Sequence, residues 1–225
     1  MYWHCNMISC IWRYNMYTIH SIYYLLILMF TLPVLGYEYD ALEPVMDHET
    51  MKIHHTKHHQ TYIDKLNATL WWLGLTERPT IEELLQSITL FPATIQSALK
   101  NHGWGHHNHT LFWESLVPGG SSPSEALLQI ITIEFGSRDA FQEQFTTQAL
   151  QLFGSGRIWL ESDWNHLQIQ VYTNQENPLM FGKKPLLWLD CREHAYYLQY
   201  QNRRADYIQQ RRNIINRTAV EKRIT

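Results

Sequence analysis

Hydrophobic and polar positions recur at helical spacing through the first half of the chain and change to strand-like runs in the second. Asp47 precedes His48-Glu-Thr-Met-Lys as an N-cap, and the pattern continues to about Leu70 without glycine or proline, which predicts a helix. Thr80-Ile-Glu-Glu83 is a capping box and predicts a second helix. Pro92 opens a third segment, which Gly103 and Gly105 are expected to break before a short helix carrying His109. Pro118-Gly-Gly-Ser-Ser-Pro123 reads as a linker, and the domain boundary is expected there, between 29–117 and 118–225. Helical patterns follow at Ser124–Phe135 and Ser137–Phe153. The period then changes. Arg157–Ser162 and Leu167–Thr173 read as strands joined by a turn at Asp163–His166, and Pro185–Asp190 reads as a third strand. Glu193–Ile215 returns to helix. The fold class implied is α+β: a helical N-terminal domain, then a domain with a small antiparallel sheet and helices.

A chain of 225 residues buries a substantial core, and its charged fraction of 17% lies below that of ordinary soluble domains. A formal net charge of -3 argues against a nucleic-acid partner, which would need a basic face. The late runs Arg203-Arg204 and Arg211-Arg212 read as a solvated helix face. Cys5, Cys10 and Cys191 form neither a paired framework nor a zinc spacing, so a reducing cytoplasm is the expected location. Residues 1–28 stand apart. Ser21–Phe30 is an apolar run of signal-peptide length, too short for a membrane span, and no membrane association is expected for the core domain. The expectation is an upstream extension ahead of a start near Met29; the rival is a signal anchor or organellar leader.

The chemistry concentrates in three segments: Met51-Lys-Ile-His-His-Thr-Lys-His-His-Gln-Thr-Tyr62, Gly105-His-His-Asn-His-Thr-Leu-Phe-Trp113 and Leu189-Asp-Cys-Arg-Glu-His-Ala-Tyr-Tyr197. On a helix His54, His58 and Tyr62 line one face, while His55 and His59 point about a hundred degrees away, toward the surface or behind the ligands. Asp190 ends an apolar strand and His194 follows four residues later. Alone, the histidine run reads equally well as a metal-sticky surface, and an aspartate ending a strand reads more often as a helix cap. Three imidazoles and a carboxylate nevertheless form a nitrogen-and-oxygen donor set suited to iron, manganese or zinc.

Together with Phe153-Gly-Ser-Gly156, Thr173-Asn-Gln-Glu-Asn-Pro-Leu-Met180, Glu193-His-Ala-Tyr-Tyr-Leu-Gln-Tyr-Gln-Asn-Arg-Arg204 and Asp206-Tyr-Ile208, in order and at compatible spacing, these segments resemble the manganese/iron superoxide dismutases from about Thr31 onward. The resemblance implies a helical hairpin domain, a domain with a three-stranded antiparallel sheet, and a metal between them. His54, His109, Asp190 and His194 would hold it, with solvent as a fifth ligand. Gln175 would hydrogen-bond that solvent and Tyr62, and Tyr62 and His58 would carry protons. Manganese is the implied metal, with iron possible, because Gly105 leaves room for a glutamine arriving from the second domain. Trp113 would pack near the ligands. Glu193 and Tyr197 would meet a partner subunit in a homodimer or tetramer, a self-complementary arrangement. The implied activity is disproportionation of superoxide to oxygen and hydrogen peroxide. The alternative is an inactive metal-binding homologue.

That alternative draws on departures from the pattern. Arg157, Arg192, Arg212 and Arg217 stand where the family carries tryptophan; Trp104 and Trp188 replace glycines, and Val45 replaces a histidine. A buried, uncompensated guanidinium costs several kcal/mol against a total stability of about 5–15 kcal/mol. The chain is therefore expected either to fold poorly or hold metal loosely, or to let these side chains reach solvent or guide anions. A third reading is that the arginines are tryptophans translated with the wrong code or without transcript editing, since each site differs from tryptophan by one first-base change, C for T.

Overall fold

The computed structural model describes residues 29–224 except 72, 74–76, 164 and 165. The expectations for residues 1–28, and for the middle of the turn at 163–166, fall outside the described residues.

The Asp47 cap forms as read: its carboxylate accepts the Thr50 amide at 2.6 Å and starts α1 (His48–Ile53). The helix then widens into a π-helical turn over His54–His59 and resumes as α2 (Gln60–Trp71). Such wide turns are frequent at functional sites. The Thr80–Glu83 capping box opens α3 (Ile81–Gln86). Residue 93 begins α4 (Ala93–Glu114), which runs unbroken through both glycines, contrary to the expected interruption. The glycines serve packing. A Cβ on Gly103 would lie 2.6 Å from the Leu85 side chain, and one on Gly105 would lie 2.3 Å from the Tyr62 ring. Close approach of α3 and α2 to α4 outweighs the helix cost of each glycine, about 1 kcal/mol.

After the turn at Gly119-Gly120 come α5 (Glu125–Phe135) and α6 (Arg138–Gln151), capped by the Ser124 and Ser137 hydroxyls. Strands β1 (Gly156–Ser162), β2 (Leu167–Thr173) and β3 (Lys184–Asp190) form an antiparallel sheet in the order β2-β1-β3. Central β1 and neighbouring β3 are buried almost throughout, whereas β2 exposes part of its length. The expected single helix over Glu193–Ile215 is instead a series of short pieces: a 3-10 turn (Glu193–Ala195), α7 (Tyr197–Tyr200), α8 (Arg204–Gln210) and a second 3-10 turn (Arg211–Ile214). Gln201 at φ 52 breaks the run after α7. The final helix is α9 (Arg217–Ile224).

The helical half and the sheet share one apolar cluster, which joins Met46, Met51, Phe112 and Trp113 to Trp159 and Trp188. Trp188 stacks on Trp159 with centroids 5.3 Å apart and donates its Nε1–H to the Asn108 carbonyl at 3.0 Å. Val45 is buried in the same cluster. A small apolar cavity of about 80 Å³ remains among Leu127, Ile131, Phe141, Phe145 and Leu160, bordered by Arg212 and Arg217. No helix among the described residues is long and apolar enough to cross a membrane.

Candidate metal centre

The histidine run reaches the interior because the wide turn directs His54, His55 and His59 inward together. The expectation of a surface position for His55 and His59 is thus corrected: both are buried. His55 Nε2 donates to the Pro33 carbonyl at 2.9 Å, leaving Nδ1 to accept the Tyr39 hydroxyl at 3.0 Å. Trp113 Nε1–H donates to His59 Nδ1 at 3.0 Å, so His59 carries its proton on Nε2 and donates it to His106 Nδ1 at 2.8 Å. Each ring is held in one tautomer by its neighbours.

His54 from the wide turn, His109 from α4, Asp190 at the end of β3 and His194 from the following 3-10 turn converge. One donor atom from each lies within 4.8 Å of the others. His54 Nε2 is 3.7 Å and His194 Nε2 3.4 Å from Asp190 Oδ2. His54, His109 and Asp190 are fully buried, and His194 retains an edge toward solvent. His109 Nδ1–H donates to the Gly105 carbonyl at 2.5 Å, which turns its Nε2 lone pair into the cluster. No hydrogen-bond partner meets His54 Nε2, His109 Nε2 or His194 Nε2. Buried polar atoms are normally satisfied, so three aimed at one point fit a cation that they would ligate. Burial, followed by the neighbouring charges, holds His54 and His109 well below the ordinary histidine range, in the neutral form that coordinates metal.

The profile "Iron/manganese superoxide dismutases, alpha-hairpin domain" matches residues 29–117, and "Iron/manganese superoxide dismutases, C-terminal domain" matches residues 123–223. The chain belongs to the iron/manganese superoxide dismutase family. It is 48% identical over 195 residues to "Superoxide dismutase [Mn]" of Pseudomonas putida, covering 86% of this chain and 96% of the relative. The corresponding figures for "Superoxide dismutase [Mn]" of Bordetella pertussis are 47% over 196 residues, 86% and 93%. "Superoxide dismutase [Mn/Fe]" of Methylomonas sp. is 46% identical over 196 residues, with 86% and 96% covered.

The two arginines at this site, Arg157 and Arg192, are buried and hydrogen-bonded, whereas Arg212 and Arg217 keep part of their surface in solvent. Arg192, 8% exposed, grips Asp190 with Nε on Oδ1 at 2.8 Å and Nη2 on Oδ2 at 2.6 Å. Burial opposes ionisation of Asp190, but Arg192 and His194 outweigh it and hold the carboxyl well below its usual range. Arg157 is fully buried and pairs across the sheet with Asp190 in register. Its guanidinium donates to the Asn174 carbonyl and, at 2.8 Å, to Gln175 Oε1, and lies 4.8 Å from the centre of the Trp188 ring. Burial, then repulsion from Arg192, pushes it down to about 9, so it remains a cation at neutral pH. Arg212 bonds Gln142 and Thr146, while Arg217 bonds the Ser121 and Arg212 carbonyls.

Gln175 Nε2 donates to the Tyr62 hydroxyl at 2.8 Å, and Arg192 Nη1 approaches the same oxygen at 3.3 Å. A Cβ at Gly105 would meet the Tyr62 ring first, and Gln175 meets the same residue at its phenol oxygen. Half-buried His58 stacks on His194 at 4.3 Å between centroids, at the solvent edge of the cluster. Trp113 packs edge-on against His54 at 5.0 Å. Glu193 and Tyr197 lie exposed, outside the four converging donors. Sequence reasoning missed Asn108 and Asn177. Asn108 Nδ2 donates to the Gln175 backbone carbonyl at 3.2 Å, and Asn177 Nδ2 donates to Asn108 Oδ1 at 2.6 Å. Nothing local in the sequence marks that pair, because its members are far apart in the chain.

Proposed function

We infer that this chain is a superoxide dismutase whose metal is held by His54, His109, Asp190 and His194. The convergence of these donors, three of them with unsatisfied buried nitrogens, carries the reading. The names of the relatives favour manganese, with iron as the other candidate. Held by these four residues, the ion would supply the one-electron redox chemistry that disproportionation of superoxide requires.

The chain's own groups supply protons and shape. Tyr62 accepts hydrogen bonds from Gln175 and Arg192, which leaves its own O–H directed elsewhere as a donor. Half-buried His58, whose protonation is disfavoured by burial and then by His194, is a neutral relay between solvent and the cluster. Gln175 is anchored at its backbone by Asn108 and at its side chain by Arg157 and Tyr62, so its amide cannot drift.

The exposed run Glu193, Tyr197 and Leu198 supports a symmetric dimer as the working assembly. The buried free thiol of Cys191 suits a reducing cytoplasm. Superoxide consumption per bound metal is the decisive measurement. Turnover at stoichiometric manganese or iron is expected; full occupancy with no consumption would overturn the assignment and select an inactive metal-binding homologue.

A further inference from the structure

Asp190 is the one carboxylate among the four converging residues, and its two oxygens are differently engaged. Oδ1 receives the Arg192 backbone amide at 3.1 Å and Arg192 Nε at 2.8 Å. Oδ2 is the oxygen that faces His54 and His194, and Arg192 Nη2 sits 2.6 Å from it. A donor that merely orients a ligand carboxylate needs only the oxygen turned away from the metal. Arg192 takes both.

We infer that the Arg192 guanidinium is an internal cation that competes with the metal for Asp190, so that this chain loads its metal more weakly than the donor set alone would allow. The inference rests on the metal-site reading above. Its basis is geometric and electrostatic. A bidentate guanidinium–carboxylate pair is among the stronger charge-assisted arrangements, and arginine cannot shed its proton to make way. Arg157, in register with Asp190 on the adjacent strand, adds a second buried cation nearby, its guanidinium bonded to Asn174 and Gln175 rather than to the carboxylate. The pocket is already net positive before a divalent ion arrives. Metal loading must therefore draw Nη2 away from Oδ2 or make it share that oxygen. The same movement would loosen the 3.3 Å contact of Arg192 with Tyr62, coupling loading to the hydrogen bonding of the proton donor.

The test is the affinity of the metal-stripped full chain for Zn²⁺, a redox-inert probe, by competition with a chromophoric chelator. Arg192→Gln and Arg192→Trp are expected to bind about 10–100-fold tighter, the usual size of an effect from a group behind a ligand but opposite in sign to the loss of a supporting one. Arg192→Lys keeps a cation nearby and is expected to stay weak; exposed Arg203→Gln is expected to match the native chain. Unchanged or weaker binding in both neutral variants overturns the inference. Should those variants not melt cooperatively, the native chain decides: Zn²⁺ saturation, which must displace or weaken the Nη2–Oδ2 bond, is expected to speed exchange of the Arg192 Nη–H protons with water by tenfold or more, and unchanged or slower exchange overturns the idea. Asp190→Asn separates the two readings. Zinc affinity undiminished in that variant removes the metal-site reading and this inference with it, whereas loss in Asp190→Asn with no gain in Arg192→Gln removes the inference alone.

Discussion

The two halves that meet at the centre solve burial in opposite ways. The helical half supplies His54 and His109 from a shell of neutral rings: Trp113, His59 and His106, linked nitrogen to nitrogen, and His55, held by Tyr39 and Pro33. The sheet half supplies Asp190 from a shell of full charges, Arg157 and Arg192. Imidazole can discard its charge when desolvated, and burial drives it to do so. Guanidinium cannot, so the sheet half stays charged and must keep its ions paired. The helical half is therefore insulated by neutrality and the sheet half by compensation. Only the second arrangement fails when a single partner is removed.

The largest expected effect exploits that contrast. In metal-free protein, Asp190→Asn leaves buried Arg192 without its anion, and breaking a buried pair this way costs about 3–5 kcal/mol. His54→Gln, neutral to neutral, is expected to cost clearly less. Urea midpoints of the two variants measure this; equal losses would erase the distinction between the halves.

Acid tests the neutral side. Burial first, then a neighbouring imidazole, holds His59 at about 2 and His106 at about 4. Unfolded histidine takes its proton near pH 6.5, so the unfolded chain binds more protons than the native one below that point. The stability contributed by these neutral rings is complete above about pH 6.5 and is lost as pH falls toward 4 and below. The expected slope is about 1.4 kcal/mol per pH unit for each imidazole, read from denaturation midpoints between pH 7 and 4. His106→Gln should flatten the profile by one such group.

Arg157 gives a smaller change of the same sign. Arg157→Met keeps length but leaves the Asn174 carbonyl and Gln175 Oε1 without their donor, so a loss of about 1–3 kcal/mol in the urea midpoint is expected. A gain would mean that desolvation of the guanidinium outweighs those bonds and the Trp188 ring, and the sheet half would not depend on each of its charges. The smallest stability effect is expected at the centre's edge. Tyr62→Phe should leave the midpoint within about 1 kcal/mol, the worth of one hydrogen bond, while slowing superoxide turnover.

Much of this was readable in advance where the signal is local. The Asp47 cap, the Thr80–Glu83 capping box and the three strands depend on neighbours within a few residues, and they form where the pattern places them. The misjudged places are those where distant packing overrules a local rule. Gly103 and Gly105 were expected to end a helix, and instead give Leu85 and Tyr62 room against an unbroken α4. Of the two places expected for His55 and His59, the surface was the wrong one: the wide turn at His54–His59 brings both inside, with His59 stacked behind His109. The last apolar-and-basic stretch lost its continuity at Gln201, whose backbone leaves helical geometry.

By itself, then, the order of residue types determined most of the elements, because periodicity and caps are properties of short segments, while the four donors and the anomaly of arginines among them followed from the likeness of those segments, taken in order, to the family. What each buried guanidinium does was decided only in three dimensions. Arg192 is two residues from its anion, yet whether it turned to solvent or onto Oδ2 depended on Tyr62, 130 positions away in the chain, enclosing the same pocket. Arg157 found Gln175, Asn174 and the Trp188 ring only once the strands had paired. Compensation of a buried charge is a long-range property: it needs every surrounding surface in place, and no local pattern along a chain contains those surfaces.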